Sequence, residues 1–500
     1  MTRARAVSIA LRGVDAQVVT IEADIGRGLP SLQLPDLPGS SWQETRDRVR
    51  AAVLNSGEAW PDGRVIITLS PAQMPVPSSV LDLAVAAAVL TAGNMIPSAR
   101  RPEPVLLGEL ALDGRLRAVR GTLPAVLAAR NAGYTTVVVP AEALPEARLV
   151  TGIEVLGAAT LRQALAWLRG QGTLTRPTDR APASPRDRSD LRLVTGQGEA
   201  PWALEVAAAG GHHLLLIGPA DSGKTLLAQC LPGLLPPLST DEALEVTAIE
   251  SLAGTLDDDH PSLSTRPFIA PHHSVSVNAM IGGGTVAARP GAVTRAHRGV
   301  LFLDDCPEFS SRVFEALRAP IEDGEVRLAR PDGLARYPAR FQMVLAATGC
   351  PCGSAHETDC VCAPLARRRY LGRLSGPLLD RVDLVAPTHP LTDSTTAAGD
   401  PDTSAAVRER VLVARRRAAE RWRADGYDTN AEAPGPVLRR RVPLSPEATA
   451  PLEDALRMGR ISARGADRAL RVAWTICDLR AGRQPTDSDI RAALDFRFRR

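Results

Sequence analysis

The sequence predicts an α/β protein of several domains: a compact α/β domain, a phosphate-loop core on a parallel sheet, and a helical C-terminal segment. Three observations carry this. The run His213–Ile217 is apolar and of strand length, and it leads directly into Gly218-Pro219-Ala220-Asp221-Ser222-Gly223-Lys224-Thr225 and then a helical start, Leu226–Leu231. A second apolar run, Gly299–Leu303, ends in two adjacent acids, Asp304 and Asp305. Strand-like and helix-like apolar runs alternate before and between these segments, and the chain beyond Pro443 keeps a helical period.

The pattern G-x-x-x-x-G-K-T between a strand and a helix is the context that a phosphate-binding loop needs. Backbone N–H groups and the helix N-terminus surround phosphates, the lysine reaches the β- and γ-phosphates, and the threonine hydroxyl serves Mg²⁺. The candidate nucleotide residues are therefore Gly218 to Thr225, with Thr225 as a Mg²⁺ ligand. The chain holds 59 Lys+Arg, yet Lys224 is its only lysine. A compact ammonium has been kept where arginine will not substitute.

Composition sets outer limits. Five hundred residues fit two to four domains, and 44% hydrophobic with 23% charged residues is ordinary for a globular chain. No apolar run reaches the roughly 18 residues of a membrane span. Met1–Arg5 and the interrupted run that follows do not make a signal peptide, so a cytoplasmic location and no membrane partner are expected. A net charge of +3 assigns no partner, and any nucleic-acid surface has to come from local arginine clusters.

In chain order, residues 1–170 read as a domain of their own. It has strands at Gln17–Ala23 and Arg64–Leu69, helices at Trp42–Leu54 and Leu81–Thr91, and a hairpin through Asp113-Gly114 for which a type I′ turn is expected. A helix at Leu123–Ala132, a strand at Thr136–Val139 and a helix at Leu161–Leu168 follow. Residues 171–190 are rich in Pro, Ser, Thr, Arg and Asp and read as a linker. The nucleotide core is expected over 191–395, preceded by a helix at Ala200–Ala209, and a C-terminal helical domain over 396–500.

The acids after the second strand suit Mg²⁺ binding (Asp304) and polarisation of an attacking water (Asp305); a helix N-cap before Pro307 and Glu308 is the plain alternative. Cys350, Cys352, Cys360 and Cys362 form a C-x-C…C-x-C set whose four thiolates could bind one tetrahedral Zn²⁺, with reduced cysteines or a redox pair as the other readings. Such a site has no open position and would be structural. Cys230, Cys306 and Cys477 read as core residues. Gly324–Tyr337 alternates around Pro331-Asp332-Gly333 as a β-hairpin bearing Arg327, Arg330 and Arg336, and on charge alone a solvated hairpin is equally open. The arginine-rich helix Val407–Arg423 alternates with Glu409 and Glu420 and reads as solvent-exposed. Thr486 and Asp489 approximate a capping box for a last helix.

Several longer stretches resemble the Mg-chelatase-like AAA+ ATPases of the ComM (YifB) type. They are Leu29–Pro38, Gly114–Pro140, Arg266–Ser274 with Gly282–Gly284, Pro290–Gly299, Leu374–Asp383 and Ile461–Ala473. The resemblance covers nearly the whole chain. It implies a Lon-protease-like N-terminal α/β domain, a P-loop AAA+ ATPase core with a parallel sheet, and a C-terminal helical lid. It further implies ATP and Mg²⁺ as ligands, and a homo-oligomeric, hexameric ring in which Arg381 acts as a finger on a neighbour's γ-phosphate. Thr348 stands at the family's sensor position. Arg464 is the first choice for the lid arginine that senses the γ-phosphate, with Arg468 and Arg471 as alternatives. The hairpin arginines would face DNA in a central pore, single-stranded or branched, and the implied work is DNA translocation with branch migration during uptake of transforming DNA.

The departures from the family pattern matter equally. Asp221 stands where the loop usually has glycine, Asp305 where it has glutamate, and Thr348 where it has asparagine. These changes favour ATP binding over fast hydrolysis and leave a slow or non-hydrolysing nucleotide-binding scaffold open. A metal-chelatase motor subunit is another alternative, opposed by the N-terminal domain, which such subunits lack. Ser79 falls at the Lon nucleophile position, but Gly121-Thr122-Leu123 supplies no lysine, and a serine without an adjacent base is a poor nucleophile. Peptidase activity is not expected.

Overall fold

The computed structural model describes residues 2–29, 31–33, 39–71, 79–97, 102–178, 189–256, 265–284, 288–330, 333–354, 359–374, 376–390 and 402–498. The first α/β unit contains β1 (Thr2–Arg12), β2 (Asp15–Gly26), β3 (Ser31–Gln33), α1 (Gly39–Asn55), β4 (Arg64–Ser70), α2 (Asp82–Ala92), β5 (Val105–Leu106) and β6 (Glu109–Leu110). It continues with β7 (Leu116–Arg117), α3 (Thr122–Asn131), β8 (Thr136–Pro140), α4 (Leu144–Ala147), β9 (Glu154–Ala158) and α5 (Leu161–Leu168). Seven strands form one sheet in the order β3-β4-β2-β1-β5-β8-β9, antiparallel among β4, β2 and β1 and parallel from β1 through β9. Alternate residues of β2 (Val19, Ile21, Ala23) face the core, the two-residue period of a sheet with one covered face.

Two elements of this unit depart from the sequence reading. Strand β1 has no strong apolar signal because small alanines (Ala4, Ala6) alternate with exposed Arg3 and Arg5. The hairpin through Asp113-Gly114 does form, pairing Glu109↔Arg117 and Leu110↔Leu116. Its turn is not type I′. Gly114 takes φ 82° while Asp113 stays out of the left-handed region, and Ala111 N–H reaches Arg115 O at 2.8 Å. That is a type I turn closed by a glycine bulge, in which only one residue has to be left-handed.

The expected linker also begins late. Thr175 exchanges two backbone hydrogen bonds with Gly157 beside β9, at 2.8 and 3.1 Å, so residues up to there belong to the first unit. At its far end Asp190 accepts from Ser404 N–H at 3.2 Å. Residues 179–188 lie outside the described ones.

The second unit begins with α6 (Ala200–Gly210), β10 (Leu214–Ile217), α7 (Lys224–Leu234), α8 (Thr240–Ala253), β11 (Phe268–Ile269) and α9 (Val277–Ile281). Then come β12 (Gly282–Gly283), β13 (Arg289–Pro290), α10 (Ala292–Arg295), β14 (Val300–Leu303), α11 (Ser311–Asp323), β15 (Glu325–Arg330) and β16 (Gly333–Pro338). It ends with β17 (Gln342–Ala347), α12 (Pro364–Leu371), α13 (Gly376–Leu379) and β18 (Leu384–Pro387). Its sheet is wholly parallel, in the order β11-β14-β17-β10-β18. Strands β10 and β14 are apolar along their whole length, and β17 is so after Gln342, because both faces are covered. Strand β10 lies between two strands that come later in the chain, so the crevice beyond its C-terminal end is where such sheets bind ligands.

Helices α14 (Ser404–Trp422), α15 (Gly435–Arg441), α16 (Pro446–Arg457), α17 (Ala463–Leu479) and α18 (Asp487–Phe498) complete the chain. Thr486 and Asp489 form the reciprocal cap of α18, Thr486 N–H reaching the carboxylate at 2.7 Å and Asp489 N–H the hydroxyl at 3.4 Å. Helix α14 is not the solvated helix its charges suggested. Arg410 pairs with Glu205 of α6 at 2.7 Å, Arg415 is half-buried and donates to Ala208 O at 2.9 Å, and Arg421 pairs with Asp478 and stacks on Trp474. The partners lie far away in sequence, which hides them from a charge-pattern argument.

The two α/β units are packed together. Leu244 and Ala248 of α8 share an apolar cluster with Leu123, Val126 and Ala129 of α3. Gly121 N–H donates to Ser251 Oγ at 3.1 Å, and the Ser251 hydroxyl donates in turn to Glu146. At the β1–β2 turn, Gly13 bridges Arg336 of β16; a Cβ on Gly13 would lie 2.5 Å from Arg336 O, so only glycine fits there.

Candidate nucleotide site

The residues from Gly218 to Thr225 connect β10 to α7 as the sequence predicts. Gly218 is required by contact as well as by chain direction, since a Cβ there would lie 2.1 Å from Thr388 Oγ1 at the end of β18. Two residues that sequence reasoning missed hold the loop from behind. Ser222 Oγ shares a 2.7 Å bond with Thr388, and Gln197 donates to Ser222 O at 3.1 Å and His389 O at 2.6 Å. No local pattern marks them, because their partners come from other strands.

Lys224 opens α7 and is almost wholly buried. Its ammonium donates to Gly218 O at 3.0 Å, to Pro219 O, and to Ser222 Oγ at 3.3 Å. Burial lowers its pKa, and the fields of Asp304, Asp305 and Asp221 oppose that. The ammonium therefore sits under a loop of main-chain carbonyls with carboxylates nearby, a position from which it can turn to an anion. Asp221 has φ 56°, the left-handed conformation for which glycine is the usual choice and which aspartate tolerates better than most residues. Its side chain is exposed, which is the orientation that keeps a carboxylate away from phosphates. Pro219 and Ala220 complete the loop, and Gly223 (φ 80°) precedes the helix.

The acids of β14 come to the same edge. Thr225 Oγ1 donates to Asp304 Oδ2 at 2.9 Å, so a hydroxyl and a carboxylate, the hard oxygen donors that Mg²⁺ prefers, stand together. Asp305 follows with φ 46° and an exposed side chain. It makes no side-chain cap on the short helical turn Cys306–Glu308, which removes the N-cap explanation. Its backbone N–H donates to Asp304 Oδ1 at 3.0 Å.

Thr348, expected as a sensor, is buried and turned aside. Its hydroxyl bonds Cys350 O at 3.0 Å and Tyr370 OH at 2.9 Å. The four cysteines expected at a metal site do converge: Cys350, Cys352, Cys360 and Cys362 have sulfurs all within 4.8 Å of one another. Three separations are 3.2, 3.5 and 3.6 Å, close to the ~3.8 Å that ~2.3 Å Zn–S bonds impose on a tetrahedron. The donor set therefore fits a thiophilic ion. Cys230, Cys306 and Cys477 are buried, and burial pushes their thiols up, that of Cys477 to about 11.

Arg381 follows α13 and is almost wholly buried, paired with Glu322. Its pKa is depressed, by burial first and then by Arg318, Arg468 and Arg464. Of the three arginines considered for the C-terminal helices, Arg468 bonds Arg381 O at 3.0 Å and Asp383 at 2.8 Å, and Arg471 bonds Ala433 O at 2.7 Å. Arg468 thus holds α17 to the core, and Arg471 holds it to the segment that precedes α15. Burial alone would raise the carboxyl of Asp383, but Arg468 and the neighbouring His212 and His213 hold it well below the usual range. Arg464 is exposed, beside Arg381.

The hairpin β15–β16 pairs Arg327 directly with Arg336, and both side chains are exposed. Like charges facing each other across strands destabilise a hairpin, and here Glu325, paired with Arg327, and the nearby Asp323 act against that. Arg330 pairs with Gly333, and its side chain lies outside the described residues. In the first unit, Val80 next to Ser79 and Leu123 share one apolar cluster.

Comparison with known proteins is consistent along the chain. The family described as magnesium chelatase, subunit ChlI, matches residues 190–396. Its companion families, subunit ChlI of Mg-chelatase and the ChlI C-terminal region, match 21–143 and 401–497. An uncharacterised protein of Mycobacterium tuberculosis is 56% identical over 497 residues, 99% of each chain. YifB of Escherichia coli is 40% identical over 97% of this chain and 95% of its own. Competence protein ComM of Haemophilus influenzae is 37% identical over 99% of this chain and 98% of its own.

Proposed function

Since this chain belongs to the Mg-chelatase-like ComM/YifB family, we propose that it is an ATP-hydrolysing AAA+ ring motor that acts on DNA. The observation that carries the proposal is the meeting of Lys224, the bonded pair Thr225–Asp304, and Asp305 at one edge of a parallel sheet. Lys224 would hold the β- and γ-phosphates, and Thr225 and Asp304 would hold Mg²⁺. Bound there, Mg²⁺ would supply charge neutralisation at the phosphate oxygens. Asp305 would orient the attacking water.

Arg464 is exposed and its charge acts on Arg381, which pairs with Glu322. This supports their action on the nucleotide of an adjacent copy, hence a ring, with six subunits as in the family expectation. The first α/β unit and the helices α14–α18 are then the Lon-like domain and the lid. Zn²⁺ on the four cysteines would be structural, since four thiolates leave no open position. Among the described residues no helix is long and apolar enough to cross a membrane.

Arg327 and Arg336 support DNA as the substrate, because a phosphate between two facing guanidiniums relieves their repulsion. The name of the Haemophilus relative supports a setting in competence, and branch migration of recombination intermediates is the activity we assign. The engagement of Thr348 with Tyr370 and the short reach of Asp305 favour a second reading, a slow ATPase that works as a nucleotide-gated scaffold. Forked-DNA binding, followed by fluorescence anisotropy across a salt titration, tests the DNA assignment. Affinity should fall steeply with salt, and replacing both Arg327 and Arg336 with alanine should reduce the slope by about two. A salt-independent affinity would remove DNA from the proposal.

A further inference from the structure

The four-cysteine loop and the phosphate loop are joined through their main chains. Strand β17 runs beside β10, and where both end, Gly218 N–H donates to Ala347 O at 3.1 Å. Thr348 then ties the following turn to α12 through Tyr370. The turn itself, Cys350 to Gly353, is closed by Gly353 N–H on Cys350 O at 3.1 Å. It places Gly353 O against the phosphate loop, where it accepts from Ala220 N–H at 3.1 Å. Gly353 has φ 64°, and a Cβ on it would meet Ala220 Cβ at 3.4 Å. A cavity of about 520 Å³ lies between the two loops, lined by Gly218, Pro219, Cys350, Cys360, Arg367 and Arg368.

We propose that metal occupancy of the four-cysteine site controls nucleotide affinity, through the hydrogen bond from Ala220 to Gly353. This rests on the reading of Gly218–Thr225 as an ATP site. A turn that carries two of the four ligands, Cys350 and Cys352, has its shape set by the ion that joins it to Cys360 and Cys362. With a thiophilic divalent cation bound, the carbonyl of Gly353 is fixed one residue beyond Cys352 and holds Ala220 in place. Without the cation, four clustered sulfurs have no common partner, the turn is free to open, and Ala220 loses its acceptor. The phosphate loop must then be ordered by the nucleotide itself, which weakens binding. Cys352 is exposed, so chelators and metal donors can reach the site.

The test uses the full-length protein, Zn²⁺ as the metal, and a fluorescent ADP analogue as the nucleotide. Metal content is counted with a colorimetric chelator, and folding is followed by circular dichroism. Zinc-loaded protein should bind the analogue about five- to thirtyfold more tightly than chelated protein, the worth of one to two hydrogen bonds, and adding Zn²⁺ back should restore affinity. Cys352→Ser should behave as the chelated form. Ala220→Pro, which deletes the donor and leaves all four thiols, should bind zinc stoichiometrically yet show no change in nucleotide affinity on chelation. If Cys352→Ser unfolds, the chelation and add-back of the wild-type protein decide alone. Wild-type protein that holds no zinc, or affinity equal within twofold with and without it, overturns the coupling while leaving the ATP site standing. Failure of zinc-loaded protein to bind the analogue at all overturns the ATP site and the coupling together.

Discussion

Two buried charges, one in each α/β unit of this chain, are held in opposite ways. In the first, Asp82 at the start of α2 is fully buried and answered on the spot, by Arg48 at 2.7 Å and by Leu110 N–H at 3.1 Å. In the second, Lys224 is nearly as deep, but its direct partners are only carbonyls of its own loop and one hydroxyl. The carboxylates that act on it stand at longer range, and Asp305 is exposed. A closed ion pair is a finished piece of packing. A buried cation with weak neutral acceptors, at the edge where parallel strands end, retains the capacity to bind an anion. The difference marks Asp82 as a packing element and leaves Lys224 able to take up a ligand.

The largest effect should come from opening the closed pair. Arg48→Ala leaves a buried carboxylate unpaired and should destabilise the protein by about 3–5 kcal/mol in chemical denaturation. Replacing Arg48 with Met and Asp82 with Leu together should be far milder, and an equal loss would mean that the pair is not the relevant unit. In the nucleotide site, Asp305→Glu extends the carboxylate by one methylene and should raise ATP turnover by about ten- to a hundredfold, read as steady-state phosphate release. Unchanged turnover would move the limitation to Thr348 or to the ring.

The smallest effect is in pH. Burial, only partly offset by Arg48, raises the Asp82 carboxyl to about 6. The native state therefore holds this proton more tightly than the unfolded chain does. The cost of ionising Asp82 is fully present above about pH 6 and is relieved as pH falls toward the ordinary carboxyl value near 4. Relative to Asp82→Asn, wild-type stability should rise by about 3 kcal/mol over that window. A flat difference would show that Arg48 fully compensates burial.

What could be read from the sequence was whatever is encoded locally. The phosphate loop, the acids of β14, the hairpin around Pro331-Asp332 and the cap at Thr486 each lie within one short segment, and each forms where the pattern puts it. What escaped depends on partners brought together by topology. Thr388 reaches the loop because β18 lies beside β10, Gln197 bonds both Ser222 and His389 from outside the sheet, and Thr348 is engaged by Tyr370 of α12. The arginines of α14 looked solvated because Glu205 and Asp478, their acceptors, belong to α6 and α17. Strand β1 was hidden for a different reason: its first inward residues, Ala4 and Ala6, are small, and from Ala6 to Ala10 every residue is buried, so no two-residue period shows.

The claim that the second unit is an incomplete charge arrangement awaiting a nucleotide is tested most directly by ATP turnover. The measurement is steady-state hydrolysis by the purified protein with and without forked DNA, beside Lys224→Ala. The account predicts turnover that rises with DNA and falls at least a hundredfold in the variant, whose fold should be intact. Equal turnover in the wild type and Lys224→Ala would contradict the site itself, and tight ATP binding without turnover would leave a nucleotide-gated scaffold in place of a motor.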